Sequence, residues 1–224
     1  MRQNILIAIP VYNERQHILA LLDQTAIMAP GIPVLIVDDG SADGTPDLLE
    51  NKPLYLIRHG QNRGKGAALM TAVRYAKSNH YEWIITLDGD GQHPPEHLPA
   101  FIDAISTHNC DLVLGNRQSR SVSMPWHRRF SNGTTSIMVS LCCGQRIHDS
   151  QCGYRAIRVN ALHERDYREL GFQFESEMIL RMGKQGSKIT EIPVSTRYNG
   201  QASSIHLVKD TLRFVNLIIK SFFW

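Results

Sequence analysis

Asp88 and Asp90 are separated by one glycine and follow an apolar run, Trp83 to Leu87. Such a run predicts a buried strand, and the two prolines shortly after it end that strand. Gln92 adds a third side-chain oxygen two residues further on. Hard cations prefer oxygen ligands, and a cation that holds a diphosphate needs only one or two protein carboxylates. The stretch therefore predicts a metal–diphosphate site with Asp88, Asp90 and Gln92 as ligands; the alternative is a polar turn with solvated acids.

Three familiar sites are excluded by spacing. A calcium-binding EF-hand counted from Asp88 needs glycine sixth and glutamate twelfth, but these positions hold His93 and Pro99. A Rossmann dinucleotide site needs G-x-G-x-x-G after the first strand, and the loop from Pro10 to Glu14 contains no glycine. The stretch from Gly60 to Ala67 does not match a P-loop.

Strand and helix patterns alternate along the first half of the chain. Predicted strands cover 4–10, 33–37, 54–57, 83–87 and 111–114, and predicted helices include 67–77 and 95–107. Asn13 and Thr45 are predicted to cap two further helices. This alternation predicts an α/β fold with a mostly parallel central sheet covered by helices, in which ligands bind at the carboxyl ends of the strands.

Polar residues follow each predicted strand, so they should meet at one edge of the sheet. These groups are Tyr12–Glu14, Asp38–Asp39, Arg63–Lys65, Asp88–Gln92 and Arg117. Asp39 has two interpretations of equal weight from spacing alone. Its carboxylate either holds a base or ribose by hydrogen bonds, or makes an Asx-turn with Gly40 and Ser41.

Composition sets wider bounds. The 224 residues are 42% apolar and suit one large domain or two small ones. Four cysteines without zinc spacing indicate reduced thiols and a cytoplasmic location. We expect no leader peptide, and no apolar run of about 18 residues is present to span a membrane. The net charge is +3, yet residues 115–158 hold seven arginines, no lysine and one acid. This excess predicts contact with an anionic partner, the alternative being scattered solvated arginines.

Six motifs in order resemble the family 2 glycosyltransferases, within them the polyprenyl-phosphate sugar synthases typified by dolichyl-phosphate mannosyltransferase. The motifs are Ile9–Glu14, Val37–Thr45, Asn62–Gly66, Asp88–Pro95, Gly115–Arg117 and Asp149–Arg155. The resemblance implies a GT-A fold over residues 1–206 and inverting transfer from a nucleoside-diphosphate sugar to a polyprenyl phosphate or other lipid-linked acceptor. It also implies Mg²⁺ or Mn²⁺ as cofactor, and no nucleic acid as partner.

The resemblance also assigns roles to residues. Those implied to bind the nucleotide are Pro10, Tyr12, Glu14, Asp39, Lys65, Asp88 and Gly89. Those implied to bind the acceptor phosphate are Arg117, Arg128 and Arg129. Asp90 and Asp149 are implied to be catalytic, and Arg197 and Ser203 to lie in a loop over the diphosphate, although Ser204 replaces a usual lysine there.

The acceptor decides what Asp149 must do. A phosphate monoester, with its second pKa near 6, arrives ionised and needs arginine forks to position it. An alcohol needs a general base, which would be Asp149. The abundance of arginine favours the phosphate. Two alternatives stay open, a different membrane-associated acceptor and a catalytically silent nucleotide-sugar binding protein.

The last segment, 207–224, has apolar residues at helical steps and a separate basic edge. It predicts a helix in the membrane interface, and so a peripheral enzyme on the inner face of the membrane. The alternative is a helix packed on the catalytic core or a partner subunit. In the helix that begins near Phe174, Glu177 either faces the site or pairs with Arg181.

Overall fold

A central sheet with helices on both faces is the frame of this protein. The structure is a computed structural model that describes residues 4–117, 126–162, 167, 171, 173–196 and 207–224, without the side chains of 126–131 and 207–211. The strands are β1 (Ile5–Val11), β2 (Val34–Asp38), β3 (Tyr55–Arg58), β4 (Trp83–Thr86), β5 (Leu112–Asn116), β6 (Arg155–Arg158) and β7 (Ile189–Pro193). The helices are α1 (Ile18–Met28), α2 (Thr45–Leu49), α3 (Lys65–Ser78), α4 (Leu98–Thr107), α5 (Trp126–Cys143), α6 (Phe174–Lys184) and α7 (Leu207–Ser221).

The seven strands lie in the order β3-β2-β1-β4-β6-β5-β7. All pair in parallel except β6, which runs antiparallel to both β4 and β5. The α/β class and the mostly parallel sheet are therefore confirmed. The chain moves outward from β1 to β3 on one side and returns to place β4 on the other side of β1. That reversal is a topological switch point, where open α/β sheets bind ligands beyond the carboxyl ends of the strands.

The central strands are buried on both faces, because helices cover both. Leu6 and Ala8 of β1 point into a core formed with α3, α5, α6 and α7. Ile7 and Ile9 point the opposite way, into a core formed with α1, α2 and α4. This explains why β1 and β4 read as continuous apolar runs instead of alternating ones.

Two predicted helix caps are wrong. Asn13 has a positive φ of 58°, and its side chain accepts a hydrogen bond from the backbone of Ala42 while α1 begins later, at Ile18. Gly44 is the N-cap of α2, and the Thr45 hydroxyl donates to Asp43 instead. Asn13 binds a neighbouring loop, whereas Thr45 binds Asp43 within its own loop. Each side chain thus makes a bond that competes with capping, as short polar residues allow.

The predicted helix 95–107 keeps its bounds, but its first turn has a different form. The helix predicted over 95–107 begins as a 3₁₀ turn, Pro95–His97, and continues as α4. Helix α5 covers 18 residues despite its serines, threonines and glycine. Packing of its inner face, where Val139 is fully buried and Cys143 nearly so, overrides the weak local propensity.

Helix α7 packs on α5 and α6 and belongs to the same core. Phe214, Leu217 and Ile218 are buried against that core. At the far end, the Lys184 ammonium donates to the Ser221 carbonyl, and the Arg181 guanidinium lies 3.7 Å from the ring centre of Trp224. Within the described part of the chain, no helix combines the length and apolar character needed to cross a bilayer.

Candidate active site

The loops after β1 and β4 meet at the switch point. Gly89 is the residue that allows this contact, because a Cβ built on it would lie 3.1 Å from the Pro10 carbonyl oxygen and 3.5 Å from Cγ of Glu14. Any larger residue would push the two loops apart. The sheet order therefore brings Pro10, Tyr12 and Glu14 beside Asp88 and Asp90, as the sequence predicts. Tyr12 is 47% exposed, which leaves its ring available for stacking on a planar ligand.

The carboxylates of Glu14 and Asp90 lie close to other acids, and nearby positive groups do not fully compensate their negative charge. Burial raises the pKa of Glu14 to about 7, and the charges of Asp90, Asp43 and Asp88 add to this. Burial and the neighbouring Asp88 also raise the pKa of Asp90. The backbone N–H of Gln92 donates to Asp90 at 2.9 Å, so the contact described for Gln92 is through its backbone. Ionised acids held together in this way create a potential that favours a cation.

Asp88 is held differently. Its carboxylate lies 2.5 Å from the Lys65 ammonium, which also contacts Glu175 at 3.0 Å. Burial opposes ionisation of Asp88, but the charge and hydrogen bond of Lys65 outweigh it, and the pKa of Asp88 is lowered to about 2. The pKa of His93 is itself lowered by burial, so its neutral ring accepts a hydrogen bond from the Asp88 backbone at Nδ1. His93 is therefore a buried residue that fixes the turn.

The sequence alone assigns no functional role to two residues of this cluster, Glu175 and Gly153. Glu175 is 8% exposed in the first turn of α6. A Cβ on Gly153 would lie within 2.9 Å of side-chain atoms of Asp88, Glu175 and Lys65, so only glycine leaves room for the three charged groups to meet. Glu177, the acid that the sequence does single out on this helix, forms an ion pair with Arg181. Its carboxylate accepts from Arg181 at 2.9 Å.

Asp39 is fully occupied by contacts within the protein. Its carboxylate accepts from the backbone N–H groups of Arg63 and Gly64 at 3.0 and 2.7 Å, and it lies 2.6 Å from Nδ1 of His59. The Asx-turn interpretation of Asp39 is wrong, because the Ser41 backbone N–H donates to Asp38 at 3.0 Å and the Asp39 carboxylate accepts from Arg63 and Gly64. Asp39 thus holds the loop before α3 in place, at the edge where Tyr12 is exposed.

Arg117 and Asp149 form a closed pair at the other side of the site. The Arg117 side chain donates two hydrogen bonds to Asp149, at 2.7 and 2.9 Å, and its backbone N–H donates a third at 3.0 Å. Asp149 is fully buried. Burial alone would raise the pKa of Asp149, but the hydrogen bonds and charge of Arg117 lower it below its ordinary value. Asp149 is therefore an ionised carboxylate that orients an arginine, and it is a poor general base in this state.

Arg155 joins the two halves of the site. It is 1% exposed, and its guanidinium donates to the backbone carbonyls of Cys152, Glu175 and Ser150 at 2.7 to 2.9 Å. These bonds hold the loop that carries Asp149 against the start of α6. The sequence contains Arg155 within a motif, but its burial among carbonyl groups follows only from the packing of β6 against α6.

Several predicted site residues are not placed by the structure. Arg128 and Arg129 belong to α5, in the turns whose side chains lie outside the described set. Arg197 and Ser203, with the unusual Ser204, lie outside the described residues. Their roles at the acceptor and over the diphosphate stay predictions.

The carboxylates of Asp88 and Asp90 fit a hard cation that is already bound to a diphosphate. Across the described residues, no three His, Cys, Asp or Glu side chains converge into a complete metal cage. A cation bound to a diphosphate needs no such cage, since phosphate oxygens and water fill most positions. Asp90, with its raised pKa, and Asp88 supply carboxylate oxygens at the point where negative charge accumulates.

Comparison with known proteins agrees with this architecture. The crystal structure of glucosyl-3-phosphoglycerate synthase from Mycobacterium tuberculosis with Mn²⁺, uridine-diphosphate and phosphoglyceric acid superposes with a TM-score of 0.76. The alignment covers 98% of this chain and 78% of that one, at 15% identity. The fold of the present protein is accordingly the GT-A fold of nucleotide-sugar transferases.

Sequence relatives define the family. The glycosyl transferase family 2 profile matches residues 6–166. Undecaprenyl-phosphate mannosyltransferase of Micrococcus luteus is 30% identical, covering 85% of this chain and 82% of that protein. Polyprenol monophosphomannose synthase of Mycolicibacterium smegmatis is 29% identical, covering 86% and 77%. An uncharacterized protein of Methanocaldococcus jannaschii is 33% identical, covering 96% and 97%. The chain belongs to glycosyl transferase family 2.

Proposed function

We propose that this enzyme transfers a sugar from a nucleoside-diphosphate sugar to a polyprenyl phosphate, with inversion at the anomeric carbon. The single observation that carries the proposal is the Arg117–Asp149 pair. A buried, ionised Asp149 whose oxygens accept three hydrogen bonds from Arg117 is not free to take a proton from an alcohol. The acceptor must then be a nucleophile on arrival, and a phosphate monoester, with its second pKa near 6, is one.

The bond changes follow from this. An oxygen of the acceptor phosphate attacks the anomeric carbon, and the bond from that carbon to the nucleoside diphosphate breaks. The departing diphosphate takes the electron pair, and no proton transfer is required. Attack from the face opposite the leaving group inverts the centre. We infer that Arg117, oriented by Asp149, supplies positive charge for the anionic acceptor, since arginine is suited to phosphate recognition.

The relatives support the lipid acceptor. Undecaprenyl-phosphate mannosyltransferase and polyprenol monophosphomannose synthase carry polyprenyl acceptors in their names. Tyr12 and the loop held by Asp39 form the side of the site that suits the nucleoside, with Pro10 and Glu14 beside them.

A divalent cation, Mg²⁺ or Mn²⁺, is part of the proposal. Asp88, Asp90 and the Gln92 side chain would hold it, and it would supply Lewis-acid neutralisation of the departing diphosphate. The crystal structures of glucosyl-3-phosphoglycerate synthase with Mn²⁺ and uridine-diphosphate-glucose support this choice of cofactor.

The proposal is tested by acceptor chemistry. The purified protein is supplied with UDP- and GDP-sugars, Mn²⁺ or Mg²⁺, and one of three acceptors: a polyprenyl phosphate, the same polyprenol without phosphate, and 3-phosphoglycerate. We expect transfer to the polyprenyl phosphate alone, with an inverted anomeric centre by NMR. Equal transfer to the free polyprenol, or preferred transfer to 3-phosphoglycerate, contradicts the proposal. Donor binding without transfer to any acceptor would identify a catalytically silent binding protein. Donor binding is detected as a rise in melting temperature, because a donor at 100 times its Kd adds about 2.7 kcal/mol of stability.

A lipid acceptor also requires contact with a membrane, and we propose that the outer faces of α5 and α7 make it. The exposed apolar residues of α7 and of the turn that follows it recur at helical steps: Leu212, Val215, Ile219, Phe222 and Phe223. Ile137 and Leu141 of α5, four residues apart, are 63% and 79% exposed. We call these seven residues the α5/α7 apolar face. Arg213 and Lys220 are exposed beside it, which suits anionic headgroups at the inner surface of the membrane.

The structure determines how this contact is tested. Deleting 207–224 would remove Phe214, Leu217 and Ile218 from the core, each worth about 1.5–3 kcal/mol when fully buried. That is a large part of a total stability of about 5–15 kcal/mol. The combined substitution Leu212→Gln, Ile219→Gln and Phe222→Gln instead changes exposed side chains, of which the Phe222 ring also lies 5.8 Å from the Lys184 ammonium. We expect it to weaken binding to phosphatidylglycerol-containing vesicles at least tenfold in co-sedimentation, since each exposed side chain has about 1 kcal/mol or more to contribute.

The matched control is Ile27→Gln, a 71% exposed apolar residue on α1. This control should bind vesicles as the unmodified protein does. The α7 triple variant and the Ile27→Gln control should bind UDP or GDP with Mn²⁺ equally well. If the α7 variant binds vesicles with undiminished affinity, the α5/α7 apolar face is not the membrane contact.

A further inference from the structure

We propose that Lys65 is an internal counter-ion that holds Asp88 in the donor-free enzyme and moves onto Glu175 when a divalent cation takes Asp88. Glu175 is then a positioning residue of the site, the second anchor that keeps Lys65 in place during the exchange. The inference rests on the proposed metal site, but it does not depend on the identity of the acceptor.

The geometry is that of one ammonium shared by two carboxylates. Nζ of Lys65 lies 2.5 Å from Oδ1 of Asp88 and 3.0 Å from Oε1 of Glu175. The three side chains are only 19%, 25% and 10% exposed. A buried charge left without a partner is costly, so Lys65 needs another partner when Asp88 gains a new ligand. Glu175 offers it a partner that requires only a small movement.

The surrounding backbone is built to keep Glu175 in this position. The buried Arg155 donates to the Glu175 carbonyl at 2.7 Å, which anchors the first turn of α6. The Thr86 hydroxyl at the end of β4 donates to the Gly153 carbonyl at 3.0 Å. Gly153 itself leaves the space that the three charged groups fill. Three separate elements, β4, the loop before β6 and α6, are thus tied together around one ammonium.

The charges explain why such an arrangement is useful. Without a counter-ion, Asp88 would add its charge to those of Asp90 and Glu14, which already repel one another. Lys65, which also pairs with Glu175, offsets part of that charge in the donor-free state. A divalent cation must displace the ammonium from Asp88 to bind there, and Glu175 lowers the cost of that displacement.

The inference makes opposite predictions for two substitutions. Lys65→Met removes the competitor for Asp88 and should tighten binding of Mn²⁺ about tenfold. Glu175→Gln removes one of the two carboxylates that contact Lys65 and leaves Asp88 as the other. It should weaken Mn²⁺ binding about tenfold, which is the scale of one hydrogen bond to a charged group. Binding is measured by electron paramagnetic resonance of free Mn²⁺, with Mn²⁺ alone and with Mn²⁺ plus UDP or GDP.

The double variant Lys65→Met, Glu175→Gln distinguishes transfer of Lys65 to Glu175 from independent electrostatic effects of the two residues on the cation. If Glu175 acts by receiving Lys65, its substitution has no further effect once Lys65 is methionine, so the double variant should bind Mn²⁺ as tightly as Lys65→Met. Independent field effects would instead add, and the double variant would return to the affinity of the unmodified protein. Additive behaviour, or weaker binding in Lys65→Met, overturns the inference.

Glu177→Gln is the matched control, because it makes the same change two residues along α6 in an acid that pairs with Arg181. Its Mn²⁺ affinity should equal that of the unmodified protein. Circular dichroism and melting temperatures establish that each variant is folded. If the unmodified protein itself binds no Mn²⁺ in the presence of UDP or GDP, the proposed metal site fails and the inference with it. If it binds Mn²⁺ but Lys65→Met does not tighten and Glu175→Gln does not weaken that binding, the inference alone fails.

Discussion

Asp90→Asn should reduce sugar transfer by roughly a hundredfold or more while leaving the protein at least as stable as before. The loss is on the scale measured when one preorganised group that stabilises developing charge is removed. Asparagine keeps the shape of the side chain and the hydrogen bond from the Gln92 backbone, but not the charge. The measurement is kcat for transfer at saturating Mn²⁺, compared with excess EDTA.

The stability expectation follows from the raised pKa of Asp90. An acid whose pKa is higher in the folded than in the unfolded state destabilises the fold as pH rises above its unfolded value. At neutral pH the Asp90 charge therefore opposes folding, and its removal should leave the melting temperature unchanged or higher. Function and stability compete at this residue, as is common where charge is assembled for catalysis.

Asp103→Asn is the control, since Asp103 is an exposed acid on α4. It should change neither transfer nor stability appreciably. Full activity of Asp90→Asn, or full activity of the unmodified enzyme in excess EDTA, would remove the basis for metal-assisted transfer at this site.

Arg117→Ala and Asp149→Asn should both impair use of the acceptor by tenfold or more in kcat/KM, with donor binding nearly unchanged. Hydrogen bonds to charged groups are worth about 1.5–3 kcal/mol, and Arg117 donates three to Asp149. If Asp149 acts by orienting Arg117, the double variant should be no worse than Arg117→Ala alone. Acceptor titrations at saturating donor measure the first effect, and calorimetry with UDP or GDP measures donor binding.

A general-base role for Asp149 predicts a different result. Asp149→Asn would then abolish the acidic limb of the pH–rate profile, and its effect would multiply with that of Arg117→Ala. Because breaking a buried ion pair costs about 3–5 kcal/mol, the kinetics are measured well below the melting temperature of each variant. The control is Arg158→Ala, which breaks a more exposed arginine–aspartate pair with Asp111 on another part of the sheet. That variant should use donor and acceptor normally.

Much of the fold follows from local pattern. Continuous apolar runs at β1, β2 and β4, each followed by short polar stretches, are sufficient to predict a parallel sheet with its site at one edge. The pairing of Asp88 with Asp90 at a strand end is also visible without coordinates, because both residues lie on one short loop. The starts of α1 and α2 were less predictable, since Asn13 binds Ala42 in a loop distant in sequence, and Thr45 binds the adjacent Asp43 instead of capping its helix.

The tertiary structure decided which partners each charge has. Glu175 and Lys65 are 110 residues apart in a chain of 224, and nothing local distinguishes Glu175 from Glu177 two positions later. Only the packing of α6 against the loop before β6 turns one towards Lys65 and the other towards Arg181. Similarly, Asp149 reads as a candidate base until its three bonds to Arg117 are seen. Residue types and spacing determine where charge accumulates, whereas the long-range contacts that compensate it depend on how the whole chain folds.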